Sequence, residues 1–120
     1  MADPVGEQLA AWGKVLMIET RGRLTGRPAR TAVGFVEEAT GGWVVAAGAS
    51  DADWALNLEA APGAVVEVEG RRVDVTAEPL DDDEHGRAIR ELILRYGTPA
   101  ERLGAGPSFR LRPAVEETPG

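Results

Sequence analysis

The residues able to do chemistry are few in this chain, and their scarcity already narrows the field. There is no cysteine and a single histidine, His85. Thiolate nucleophiles, Fe–S clusters and Cys or multi-His metal sites are therefore excluded, and no metal ligands are expected. A Ser-His-Asp arrangement would have to be built on His85 alone, and no G-x-S-x-G elbow is present. If the chain is an enzyme, the difficult chemistry belongs to a bound cofactor. The groups that stand out are the stretch Gly22-Arg23-Leu24-Thr25-Gly26-Arg27 with Arg30 beyond it, the pair Trp54 and Asn57, and the only tyrosine, Tyr96.

In the Gly22–Arg27 stretch, two glycines let the backbone approach an anion closely. Thr25 adds a hydroxyl, and Arg23 and Arg27 add forked donors. It is neither a Walker A loop, since no Gly-Lys-Ser/Thr follows, nor a G-x-G-x-x-G opening a helix. Two readings stay open: a phosphate or carboxylate site, or a hairpin loop with solvated arginines. Trp54 and Asn57 lie three apart on an expected helix and share a face. The indole reads as core, and an amide beside it then needs a partner. Tyr96 ends the apolar side Ala88, Ile89, Leu92, Ile93 of the longest expected helix, either as packing or as a hydrogen donor. His85 reads as a satisfied half-buried residue or, less simply, a catalytic one.

Charge is unevenly distributed. The net charge is −7, which disfavours nonspecific binding to nucleic acid or anionic lipid. Residues 14–30 nevertheless carry +4, while residues 31–84 carry −11. Twelve of the thirteen basic residues are arginine, the side chain suited to bidentate phosphate or carboxylate binding. With six aromatic residues in all, a base-stacking platform for single strands is not available.

Positioning these groups falls to one expected domain over residues 1–120, with 1–13 as an extension and 114–120 as a loose tail. No apolar run approaches about 18 residues and no signal peptide opens the chain, so a cytoplasmic protein without a membrane span is expected. Residues 5–12 suggest a helix with Leu9 and Trp12 on one side. Strands are expected over 15–20, 31–36, 43–47, 64–69, 72–78 and 108–112. Ser50 to Asp53 has the form of a capping box opening a short helix, as does Thr98 to Glu101. Asp81 to Glu84 load the start of a helix over 81–97 with carboxylates, where the macrodipole favours them. Because the strands arrive as antiparallel pairs, the fold is read as α+β, mainly β: a small antiparallel barrel of about six strands with helices outside.

The stretch Thr20–Pro28, the strand end Val45-Ala46-Ala47, and Trp54-Ala55-Leu56-Asn57-Leu58 ahead of Ala61-Pro62 resemble the deazaflavin-dependent nitroreductase family. Its hallmarks are a G-R-x-[ST]-G loop and a W-x-x-N-L helix before a proline, and the resemblance runs from Val15 to Pro113. It implies a split β-barrel and an oxidoreductase using the reduced 8-hydroxy-5-deazaflavin coenzyme (F-420), rather than FMN, to pass hydride to a quinone, enone or nitroaromatic. That coenzyme carries a phosphate and an oligoglutamate tail. The resemblance assigns its binding to Gly22, Arg23, Thr25, Gly26, Arg27, Arg30, Ala47, Gly48, Trp54 and Asn57, and proton donation to Tyr96. The implied partner is a small-molecule substrate, with no nucleic acid and a homodimer left open. The alternative is a barrel without coenzyme that binds or isomerises an apolar metabolite; split barrels holding FMN, haem or a protein partner remain beside it.

Overall fold

A computed structural model describes residues 4–114 of the chain. The expected loose tail, from residue 115 onward, lies outside the described residues. The strands are β1 (Leu16–Arg21), β2 (Pro28–Val33), β3 (Phe35–Glu37), β4 (Trp43–Ala46), β5 (Gly63–Val68), β6 (Arg71–Pro79) and β7 (Ser108–Pro113). They form one antiparallel sheet in the order β2-β1-β5-β6-β7-β4-β3. Its two edge strands, β2 and β3, are separated in the chain by Gly34 alone. The single strand expected over 31–36 is thus a bent strand that passes from one sheet edge to the other, and the sheet curls into a barrel split at that bend. Counting the bent strand once gives the expected number.

Period-2 alternation decides which residues face inward. Leu16, Ile18 and Thr20 of β1 are buried, as are Val66 and Val68 of β5. The four apolar residues among them meet Phe35, Trp43, Val45, Phe109 and Leu111 in one apolar core. Helix α2 (Asp53–Ala60) plugs one end of the barrel with Trp54, Ala55 and Leu58. The Trp54 and Phe109 ring centroids lie 6.0 Å apart, within the range of favourable aromatic pairs. Helix α3 (Asp82–Tyr96) lies outside, where Ala88 and Leu92 pack on Val36 and Val44. Its start is a true capping box: Asp81 accepts from the Glu84 backbone N–H at 2.8 Å, and Glu84 reaches back to Asp81.

Three local expectations fail, each for a visible reason. Ser50 caps nothing, because residues 49–51 turn and α2 starts at Asp53 from an extended Ala52 with no side-chain cap. Thr98 is the first residue of a 3-10 helix (Thr98–Ala105) entered straight from Gly97, not a cap. Helix α1 (Pro4–Ala11) buries Gly6 and Ala10 instead of a Leu9–Trp12 face. It ends before Trp12, whose indole stays 63% exposed. No helix among the described residues is long and apolar enough to cross a membrane.

Helix α1 is fastened to the outer face of the barrel by charge. Arg30 on β2 bonds Glu7 of α1 at 2.8 Å and Glu67 of β5 at 3.4 Å, and Arg72 bridges Glu67 and Glu19. The Arg30 guanidinium, and Arg72 beside it, hold the Glu67 carboxyl below the usual carboxylate range. A depressed carboxylate contributes stability above its unfolded pKa and loses it as pH falls through the folded value. Thermal melts stepped downward should therefore lose stability below about pH 4, and Glu67→Gln should flatten that acid limb. An identical acid limb in the variant would mean that other carboxylates carry it.

Candidate functional site

The Gly22–Arg27 loop joins β1 to β2 at the end plugged by α2. The Gly22 N–H donates to the Arg27 carbonyl at 2.8 Å, and the Gly26 N–H to the Gly22 carbonyl at 2.8 Å. Gly26 takes φ +76, a conformation glycine adopts without the Cβ penalty. Thr25 Oγ1 accepts from the Arg27 N–H at 3.2 Å. The loop is anchored from below by Asn57, 3% exposed. Its Oδ1 accepts from the Arg23 backbone N–H at 3.1 Å and from Arg23 Nη1 at 2.8 Å, while its Nδ2 donates to the buried Thr20 hydroxyl at 3.0 Å. The partner that a buried amide beside Trp54 requires is therefore the loop itself.

The arginines divide into two kinds. Arg23 is committed inward, to Asn57 and to Asp53 at 3.2 Å. Arg30 is committed to the glutamates that hold α1. Arg21 and Arg27 make no ion pair among the described residues and are exposed. Beside the loop, Thr20, Arg21, Gly26, Pro28 and Gly63 line an open cleft of about 450 Å³, with Glu19 and Asp74 on its walls. This donor set fits an anion on the loop side, where the unpaired Arg21 guanidinium meets backbone free of Cβ atoms at Gly26 and Gly63; Arg27, likewise unpaired, is exposed on the loop but is not part of the cleft lining. Arg21 falls within the +4 segment of residues 14–30 but is not among the expected ligands; its lack of a carboxylate partner is visible only in three dimensions.

Ala47 and Gly48 lie at this same end, in the connection from β4 to α2. The Ala47 N–H donates to the Pro107 carbonyl at 2.9 Å, and Gly48 abuts Leu103. Trp54 faces the core, not the cleft. His85 is satisfied on both ring nitrogens, by the Ser108 hydroxyl at 2.7 Å and the Gly104 carbonyl at 3.1 Å. Among the described residues, no cluster of His, Cys, Asp and Glu can hold a metal.

Tyr96 is not brought to the loop. β1 separates them by its six residues, roughly 20 Å at about 3.3 Å per residue. The phenol sits at the split in the barrel. Its hydroxyl donates to the Lys14 carbonyl at 2.7 Å and accepts from the Phe35 N–H at 3.0 Å. The β1–β2 register pairs Leu16 with Val33, so continuing it past Val15 and Gly34 would set Lys14 against Phe35. Tyr96 thus replaces a missing ladder bond with its own oxygen. Gly34 makes room: a Cβ there would stand 3.1 Å from the tyrosine ring.

A barrel split between β2 and β3, with a cationic glycine loop at one end, defines a class: the split antiparallel β-barrels. Within that class the chain belongs to the F420H(2)-dependent quinone reductase family, whose model matches residues 1–102. The deazaflavin-dependent resemblance is thereby confirmed, and the chain is a reductase by family. Three solved structures share the fold. HutZ, the heme storage protein from Vibrio cholerae, is 23% identical, with 95% of this chain and 91% of that one covered and a TM-score of 0.72. An F420-H2 dependent reductase, FDR-A, is 23% identical over 82% and 94%, TM-score 0.69. A domain-swapped dimer is 20% identical over 91% and 95%, TM-score 0.69. No curated protein matches the sequence.

Proposed function

We propose that the chain passes hydride from reduced coenzyme F-420 to an electron-poor small molecule, a quinone, enone or nitroaromatic. The observation that carries this reading is the unpaired Arg21 guanidinium in the cleft beside the open backbone of the Gly22–Arg27 loop, with a second unpaired guanidinium, Arg27, exposed on the loop itself. When bound, the coenzyme supplies the hydride; the chain supplies orientation and a proton. Arg21 and Arg27 would hold the phosphate and carboxylates of the tail. Asn57 and Arg23 keep the loop in the shape that presents them. Ala47 and Gly48, at the same end of the barrel, would border the remainder. A haem-holding barrel is less well supported, since both ring nitrogens of His85, the one histidine, are engaged. A homodimer belongs to the proposal, supported by the domain-swapped dimer of the same fold.

Tyr96 enters as the proton donor by exchange: an oxygen of the substrate must replace the Lys14 carbonyl as acceptor of its one proton. A second reading of this residue rests on a specific observation, the bridge from Lys14 to Phe35, which makes it a fastener of the split.

Titration of the oxidised coenzyme, followed by its fluorescence, tests the binding end. Arg21→Ala and Arg27→Ala should each weaken binding by about 1–3 kcal/mol without lowering the melting temperature, more so at low salt. Arg23→Ala should weaken binding and also destabilise the fold, because it strips the Asn57 acceptor of a donor. Arg30→Ala should leave coenzyme affinity unchanged. Unchanged affinity in both Arg21→Ala and Arg27→Ala would sink the anion site.

A further inference from the structure

The opposite end of the barrel carries a cleft apart from the Gly22–Arg27 loop, sharing with the reductase reading the Tyr96 hydroxyl and its Lys14 acceptor. It measures about 760 Å³ and is lined by Leu9, Trp12, Val15 and Tyr96 together with Lys14 and Arg95. Two aromatic rings face it with area to spare: Trp12 is 63% exposed and Tyr96 36%. The indole is left outside because α1 ends at Ala11 and turns Gly6 and Ala10 to the sheet instead.

Charge supplies the second, independent observation. The protein carries −7, yet among the described residues no carboxylate lines this cleft, Glu69 being set against the backbone of Gly13 at its edge. Each of four other surface clefts contains at least one, among them Glu19, Glu37, Glu38 and Glu84. The Lys14 ammonium makes no ion pair among the described residues, although the Lys14 carbonyl is bonded to Tyr96. Arg95 is fixed as part of the wall: it donates to the Gly13 carbonyl at 2.9 Å and lies 4.6 Å from the centre of the Phe35 ring. A neutral apolar guest would gain from the rings alone; a guest that is also anionic gains from both features.

We infer that this cleft binds a planar aromatic anion, with its ring against Trp12 and Tyr96 and its carboxylate or sulfonate towards Lys14. The inference uses no coenzyme and no residue of the Gly22–Arg27 loop; it shares Tyr96 with the proposed proton donation, and binding measured without coenzyme or turnover tells the failure of one from the failure of the other.

The three tryptophans make the test direct, because Trp43 and Trp54 are buried and serve as internal controls. In ¹⁵N-labelled protein titrated with 2-naphthoate, the Trp12 indole N–H signal should shift saturably while those of Trp43 and Trp54 stay still. The neutral 2-naphthalenemethanol should bind more weakly, by about fivefold, and Lys14→Ala should remove that difference while keeping the backbone bond to Tyr96. Trp12→Ala, an exposed position that leaves the core intact, should weaken calorimetric binding of 2-naphthoate by about tenfold or more. Equal midpoints for the acid and the alcohol would overturn the inference. So would shifts at all three indoles, or undiminished binding in Trp12→Ala. Trp12 broadening with protein concentration alone would instead make the patch a contact between copies, which also overturns it.

Discussion

Asn57→Ala should lower the melting temperature by about 10 °C and, in the same protein, weaken coenzyme binding by tenfold or more. Both effects follow from one buried amide. Its oxygen accepts two bonds from Arg23 and its nitrogen donates to Thr20. Alanine leaves the Arg23 backbone N–H and the Thr20 hydroxyl without their partner and opens a space at a position 3% exposed. A lost buried partner and a small cavity together cost about 2–4 kcal/mol, which in a domain of this size is roughly the stated shift. Coenzyme binding weakens because Arg21 and Arg27 flank a loop that no longer has a fixed floor. Asn57→Asp separates the parts: it keeps the acceptor for Arg23 but loses the donation to Thr20, so it should recover most of the affinity and less of the stability. If Asn57→Ala melts like the parent yet loses the coenzyme, the amide touches the coenzyme directly and does not act through the loop. If it melts early but binds normally, the loop needs no floor.

The pattern of success and failure in reading the sequence has a physical basis. Alternation showed β5 and β6 because each buries one face, and the 81–97 helix because its apolar side and its carboxylate-rich start agree. The need of Asn57 for a partner was legible from composition, since an amide next to a buried indole cannot stay unpaired; its identity was not, because Arg23 lies 34 residues away. The capping boxes at Ser50 and Thr98 misled because the motif reports side-chain chemistry, whereas the helix start is set by where the backbone turns. Asp53, expected to complete such a box, pairs with Arg23 instead. Arginine content raised the expectation of an anion site but could not say which guanidiniums are free. Arg30 alternates onto the outer face among Glu7, Glu19 and Glu67, and only the pairing of β1, β2 and β5 reveals it. Tyr96 is the sharpest case: its apolar helix face was legible, but its partners Phe35 and Lys14 are 61 and 82 residues distant.

Tyr96→Phe should destabilise the fold by about 1–3 kcal/mol, the cost of leaving backbone groups unpaired at the split. The ring still fits over Gly34, so packing is kept and the loss belongs to the hydroxyl alone. Amide exchange at Phe35 should quicken, because its N–H loses the oxygen that stood in for a ladder partner. The same variant tests proton donation. If the phenol gives its proton to the substrate oxygen as hydride arrives, turnover with a quinone should fall by about 10²–10⁴-fold, with KM little changed because only the transition state loses the contact. The two readouts are independent. A destabilised variant with parental turnover would make Tyr96 a fastener and leave proton delivery to water. Lost turnover with unchanged stability and unchanged exchange at Phe35 would mean that the Lys14 bridge contributes nothing to the fold, and that the hydroxyl is held in place for catalysis. Loss of both would show one oxygen serving two ends: in the resting protein the phenol donates its hydrogen bond to the Lys14 carbonyl, and substrate must compete for it at the split in the barrel.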